Sequence, residues 1–488
     1  MAKQTQKDRI LRFIADVPIV AFAIGLFILL WRTISIRLNY PYDLEWMEGG
    51  MLLHAARVAE GLPLYVTPSE TFIPFIYPPL YPWVVGGLST LGFPLDYALG
   101  RGVSVAGVAV AALVLILAIR KEGGGALLGL GSAILFLVCY PDSGAFFDLV
   151  RNDGLLIGLL STALFCVRTG WLRTGGLLLT AAFLTKHTAA IFGLPALWWL
   201  WHHQGKLAAR RFVGWSVVPA LGATVALTVV SGGLFLTYVL GVPSVHPFVA
   251  ERFFVTAPTE LLKALPWMMG VIVLACLLFR RASSSGTRFW IVQGATAVLI
   301  AAVMRGHHGG FLNVLIPGLW AIALWGGLAV HALRIRWPGL LVRVATSVLI
   351  AWQVWSVRWV PAKYLPTSAD KAAGDAVVEQ LRAIDGDILA PWQPWMPVQA
   401  GKPGSIALIA LWDIDHEDGP LHKEAQVIAR SIRSQRWGAV LTARSKLKRG
   451  LDKHYERTSG FKRPSGKALY PKTGWRVRPH ELWLPTEK

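Results

Sequence analysis

Apolar residues in this 488-residue chain gather into long runs instead of alternating with polar ones. Runs that predict transmembrane helices fall at about 14–36, 97–119, 124–141, 154–169, 172–186, 188–203, 212–232, 265–280, 288–304, 310–333 and 340–360. A bilayer core needs roughly 20 such residues per helix, and the fourth to sixth runs are the short ones. After Thr367 the pattern changes, with short apolar runs between polar ones. There the periodicity predicts helices over 372–384 and 423–434 and strands at 387–390, 405–411 and 438–442, a small α/β arrangement. Residues 446–488 are basic, rich in Pro and Gly, and carry no assignable period. The expected fold is an α-helical polytopic membrane protein of about eleven spans over residues 1–360. A small extracytoplasmic α/β domain follows over 361–488.

Composition agrees with that pattern: 54% of residues are hydrophobic and 16% charged. Soluble domains carry nearer a quarter charged residues, so a cytosolic enzyme, a disordered chain and a fibrous protein are excluded. The net charge of +20 suggests nucleic acid until its placement is read. Lys and Arg cluster at Lys3/Lys7/Arg9/Arg12, Arg120/Lys121, Arg168/Arg173, Lys206/Arg210/Arg211, Arg280/Arg281/Arg288 and Arg334/Arg336/Arg343. These are the N-terminus and every second loop thereafter, which places them in the cytoplasm. The N-terminus is then cytoplasmic and the tail extracytoplasmic, in a bacterial inner membrane or its equivalent, and no nucleic-acid partner is implied. Cys139, Cys166 and Cys276 all lie in apolar runs, so no disulfide framework is expected.

The first external segment, 37–97, holds the chemistry. Residues 40–50 read Y-P-Y-D-L-E-W-M-E-G-G, which puts Asp43, Glu45 and Glu48 immediately outside the first span. Three carboxylates at a membrane surface repel one another, so a catalytic base or a metal-ligand group accounts for them better than packing. A helix lying flat on the bilayer follows, with Met51, Leu52, Ala55, Ala59 and Leu62 on one face and His54, Arg57 and Glu60 on another. Pro74, Pro78, Pro79 and Pro82 then exclude a regular helix between Ile73 and Trp83. In a bilayer such backbone survives only against protein or a wet cavity.

These residues resemble the GT-C superfamily of membrane glycosyltransferases, nearest in pattern to protein O-mannosyltransferases and lipid A aminoarabinose transferases. The resemblance rests on D-x-E after the first helix, G-x-P-x-Y at 61–65, Y-P-P-L-Y-P-W at 77–83 and Arg101 in the next span. Further matches are Val150-Arg151-Asn152-Asp153, Leu184-Thr185-Lys186, and Arg305-Gly-His-His before Leu315-Ile316-Pro317. It implies a polyprenyl-phosphate sugar donor, an external acceptor hydroxyl (glycan, lipid or protein) and membrane lipids as partners. Asp43 is implied as base, with Glu45 the alternative. Chemistry supports the same role. A phosphate leaves as an anion without a general acid, so one carboxylate suffices and the product is inverted, unlike two-carboxylate hydrolysis. The departing phosphate needs cations. Lys186 and Arg305 are the expected phosphate ligands, with Arg57, Tyr77, Arg151, Asp153, Arg252 and His307 as further binding candidates. A divalent metal is left open. Neither the adjacent His307 and His308 nor the Asp413–Asp418 run has a diagnostic ligand spacing. The competing classes are a lipid-linked substrate transporter or flippase, which often shows matched interrupted helices in two halves, and a non-catalytic scaffold of an envelope polysaccharide complex.

Overall fold

The computed structural model describes residues 6–278, 284–444 and 450–486. Lys3, Arg280, Arg281 and part of the basic tail lie outside the described residues. Helices occupy each of the eleven apolar segments. By length and hydropathy Ile10–Leu38, Tyr97–Lys121, Lys206–Val230, Ser285–Gly306, Leu312–Arg336 and Leu340–Lys363 are able to cross a bilayer. Ala126–Leu137 and Leu172–Thr185 are apolar but shorter. Arg252–Ala264 and Pro266–Leu278 meet at a 97° bend. The amides of Trp267 and Met268 at that bend donate to the Gln353 side chain, so a neighbouring helix satisfies donors that the break frees.

Small residues bring two of these helices together. A Cβ on Gly107 would lie 2.1 Å from the Gly154 carbonyl oxygen, and one on Gly158 would strike the Gly107 backbone. Tyr97–Lys121 and Asn152–Thr169 therefore pack backbone to backbone, the close approach that small residues permit within a bilayer. Ends are set locally: the Asp96 side chain caps the first of the two at Leu99, and Gly170, at φ 89°, ends the second.

Two sequence expectations in the first external segment change. Glu48–Ala59 is a helix, but Met51, Leu52 and Ala55 are buried in protein instead of resting on lipid. His54 is buried as well, stacked on Phe75, with Nδ1 against the Gly50 carbonyl and Nε2 accepting from the Phe75 amide. The tail covers this helix: a Cβ on Gly50 would meet Ala407 at 2.8 Å. The irregular stretch also ends sooner than expected, because Leu80–Thr90 is helical. Pro82 stands in its first turn, where the missing N–H would have no partner anyway.

The tail begins with the helix Ser368–Arg382, fixed by a capping box between Thr367 and Asp370. It builds a four-stranded sheet in the order β1-β2-β4-β3, with β1 Ile388–Leu389, β2 Ala439–Thr442, β3 Tyr455–Arg457 and β4 Glu481–Pro485. β1 runs parallel to β2, while β4 is antiparallel to both β2 and β3. The strand expected over 405–411 is absent. Leu408–Ile414 is a helix there, with Leu408, Ala410, Leu411 and Ile414 inward at helical spacing. One apolar core joins the tail to the first external segment: Leu389, Trp392 and Trp437 cluster with Met51, Tyr81, Phe235 and Tyr238. The two are packed as one body.

Candidate active site

The residues following the opening helix would not hold a defined shape alone, since Asn39–Met47 forms only turns and bends. Two buried ion pairs fix it. Arg101 is fully buried and grips both oxygens of Glu48 at 2.9 and 2.8 Å. Its remaining N–H groups donate to the carbonyls of Arg37, Tyr40 and Tyr42. Glu48 in turn accepts from the amides of Leu44 and Val150. The second pair is Arg37 with Asp148, whose carboxylate also takes the Tyr140 hydroxyl; Arg37 donates further to the Ala145 and Tyr364 carbonyls. Glu48 is thus a fixing group for the loop, and it ties the first external segment to the second.

On this frame a cavity of about 630 Å³ opens. Its walls come from Glu45, Met47 and Tyr77 of the first external segment and Arg151 of the second, with Lys186, His307, Asn313 and the tail residues Asp413, Gly474 and Trp475. The ends at Leu38, Asn152, Thr185, Gly306 and Ile316 of their helices lead into this wall. They are the ends opposite to Arg12, Arg168, Arg173, Arg288 and Arg334 on the same helices, so cavity and topological charge occupy different helix ends.

Of the two carboxylates in D-x-E, only Glu45 faces the cavity. It is 2% exposed, and Oε2 lies 3.3 Å from the Met47 amide and 3.4 Å from Arg151 Nη1. Burial pushes its pKa up to about 7, against the pull of Arg151. Asp43 is turned aside, with Oδ1 accepting from the Gly49 amide at 2.9 Å and the Tyr97 hydroxyl at 3.0 Å. Burial, and the nearby Glu48 carboxylate, hold it well above the ordinary carboxylate range. Asp43 thus lies off the cavity wall, held by the Gly49 amide and the Tyr97 hydroxyl, whereas Glu45 lines the cavity.

The cations also sort themselves. Arg151 Nη2 points to the Tyr77 hydroxyl at 3.3 Å and Nη1 touches the Met47 sulfur, while Nε has no partner among the described residues. Lys186 Nζ lies 3.0 Å from Asp153, which also accepts from Asn313 at 2.9 Å. Arg151 and Asp153 therefore do not pair with each other. The backbone leaves the helix Leu172–Thr185 at Lys186, in an extended conformation, and Asn152 holds that break through the Thr185 carbonyl. Arg305, expected to bind phosphate, is engaged elsewhere: it forms two 2.8 Å bonds with Glu260 and donates to the Gly310 carbonyl. Its charge shapes the 306–310 turn. Arg57 donates to the Pro63 carbonyl and lies over Phe72, away from the cavity. Arg252 stands near His308, also outside the wall. His307 is in the wall, with its ring nitrogens against the carbonyls of His308 and Pro243. Among the described residues no three His, Cys, Asp or Glu side chains are grouped to hold a metal ion.

Sequence reading missed the tail's share. The amides of Lys472 and Thr473 donate to the Leu44 carbonyl, which straps the tail over the D-x-E loop. Gly474 follows at φ 70°, where an added Cβ would sit 2.9 Å from Glu45 Oε1. Asp413, the first residue of the acidic run at 413–418, also lines the cavity. Gly474→Ala is expected to lower the melting temperature, because alanine is strained at φ 70° and its methyl group must displace the Glu45 carboxylate or the strap. A melting curve beside the unaltered protein checks this.

No family model matches the sequence, and no curated protein matches it. Solved structures do match. ArnT from Cupriavidus metallidurans bound to undecaprenyl phosphate gives a TM-score of 0.59 at 12% identity, covering 95% of this chain and 97% of that one. The same protein in the apo state gives 0.53 at 14% identity, over 86% and 88%. The archaeal oligosaccharyltransferase AglB from Archaeoglobus fulgidus, in complex with an inhibitory peptide and a dolichol-phosphate, gives 0.50 at 11% identity, over 88% and 69%. At such identities the likeness shows the fold alone.

Proposed function

We propose, from the GT-C fold this chain shares with ArnT and AglB, that it transfers a sugar from a polyprenyl-phosphate carrier to an extracytoplasmic hydroxyl, with Glu45 as the base. The supporting observation is the meeting in one cavity of a carboxylate whose pKa is raised to about 7 with the side chains of Arg151 and Lys186. The acceptor hydroxyl gives its proton to Glu45 as its oxygen bonds to the anomeric carbon. The bond from that carbon to the phosphate oxygen breaks in the same step, and its electron pair leaves on the phosphate. Arg151 and Lys186 neutralise the anion, so no acid is needed on the leaving side. Attack opposite the leaving group inverts the anomeric centre. The setting is a multi-pass inner (plasma) membrane protein with a cytoplasmic N-terminus and the cavity outside. The cavity opens among helix ends of one side only, which favours surface catalysis over the alternating access of a transporter.

The test is binding. Full-length protein in lipid nanodiscs is expected to bind undecaprenyl phosphate saturably, and Lys186→Met is expected to weaken that binding at least tenfold. Thermal unfolding is followed in parallel, because Asp153 loses a partner in that variant while keeping Asn313. Absence of saturable binding by the unaltered protein would overturn the proposal.

A further inference from the structure

We infer that Trp46 and Trp475, which line the cavity, and Trp412, which packs against both, form a seat for a pyranose ring, so that the acceptor is a carbohydrate. This rests on the transferase reading above. Trp46 and Trp475 pack at 5.3 Å between ring centroids, Trp412 and Trp475 at 5.2 Å, and Trp46 and Trp412 at 6.0 Å. Trp46 and Trp475 meet edge to face at 86°, and Trp412 is tilted at 41° and 54° to the other two. Trp412 remains 44% exposed and Trp475 37%. Large aromatic surface left in water is unfavourable and calls for an occupant.

Position and charge narrow that occupant. Trp46 directly follows Glu45, and Trp46, Trp475 and Asp413 all belong to the cavity wall, so the cluster is continuous with the site of the proposed transfer. Tryptophans that anchor a protein at a membrane interface favour contact with head groups. Here Trp412 is followed by Asp415, Glu417 and Asp418, carboxylates that offer anionic head groups no attraction. The nearby cations Arg476 and Arg478 are turned over the Tyr470 ring instead. A pyranose suits both features. Its C–H face is weakly electropositive and fits the electron-rich face of an indole, while its hydroxyl rim can bond to carboxylates. An apolar floor with a few polar groups at its edge is also the usual make-up of a small-molecule site.

The experiment uses full-length protein in lipid nanodiscs, with cellotetraose and mannotetraose as probes in saturation-transfer NMR. At least one is expected to show transfer to its ring C–H protons. Trp412→Ala and Trp475→Ala should each reduce that transfer at least fivefold, Trp412→Phe should retain most of it, and undecaprenyl phosphate binding should stay unchanged in the two Trp412 variants. No transfer to either sugar, or equal transfer in both alanine variants, would overturn the inference. So would quenching of these two tryptophans by brominated lipid, read as the difference between unaltered and variant emission, since that makes them a bilayer anchor. Carrier binding without sugar binding removes this inference alone, whereas loss of carrier binding in the unaltered protein removes the transferase reading.

Discussion

Glu45→Gln is expected to lower transfer at least a hundredfold while the protein folds and binds undecaprenyl phosphate as before. Glutamine keeps the shape and the contact with the Met47 amide but has no lone pair basic enough to take a proton. General-base catalysis contributes on the order of 10² to 10⁴ in rate. Binding survives because Arg151 and Lys186 remain, and Arg151 loses only a 3.4 Å contact with Glu45. The pH dependence follows from the same residue. A base works in its deprotonated form, and the pKa of Glu45 is raised to about 7 by burial. The rate at limiting acceptor should therefore rise about tenfold per pH unit below 7 and level off above it. Asp43→Asn is the control: the amide oxygen can still accept from Gly49 and Tyr97, so this variant should keep most of its activity. Loss of transfer in Asp43→Asn, with activity retained in Glu45→Gln, would assign the base to the other carboxylate.

Arg101→Met is expected to be the most damaging single change to stability. It removes both bonds to Glu48 and the donors to three loop carbonyls, all inside the protein. Breaking one partner out of a buried pair costs about 3–5 kcal/mol, since the other charge stays buried without compensation. Thermal unfolding in detergent should show a large fall in melting temperature, and residual folded protein should be inactive because the loop carrying Glu45 loses its anchor. Arg305→Met offers the comparison. Arg305 and Glu260 are 15% and 24% exposed, so water can take over part of their solvation and the loss should be clearly smaller. Equal losses in the two variants would mean that Arg101 does not anchor the loop.

The amino-acid sequence alone located the apolar helices, because the pattern that marks them is a local run of apolar residues. It also brought Glu45, Arg151, Asp153 and Lys186 onto the list of candidates, since charge beside a membrane span is costly and stands out, and Tyr77 and His307 through the motifs that hold them. It did not decide between Asp43 and Glu45. Both lie in Asn39–Met47, which has no helical or strand period to assign a side chain to a face. Their loop is fixed through Glu48 by Arg101 from a later helix and Val150 from the loop before Asn152–Thr169, and through Leu44 by Lys472 and Thr473 from the far end of the chain. Arg305 looked free for phosphate because its partner Glu260 lies beyond the 97° bend that brings it near. Trp412, Asp413, Gly474 and Trp475 gave no signal of a shared site, as each is unremarkable in its own segment. Hydropathy is a property of neighbours along the chain, whereas a reactive cavity depends on groups distant in sequence, and only the packed tertiary structure brings those together.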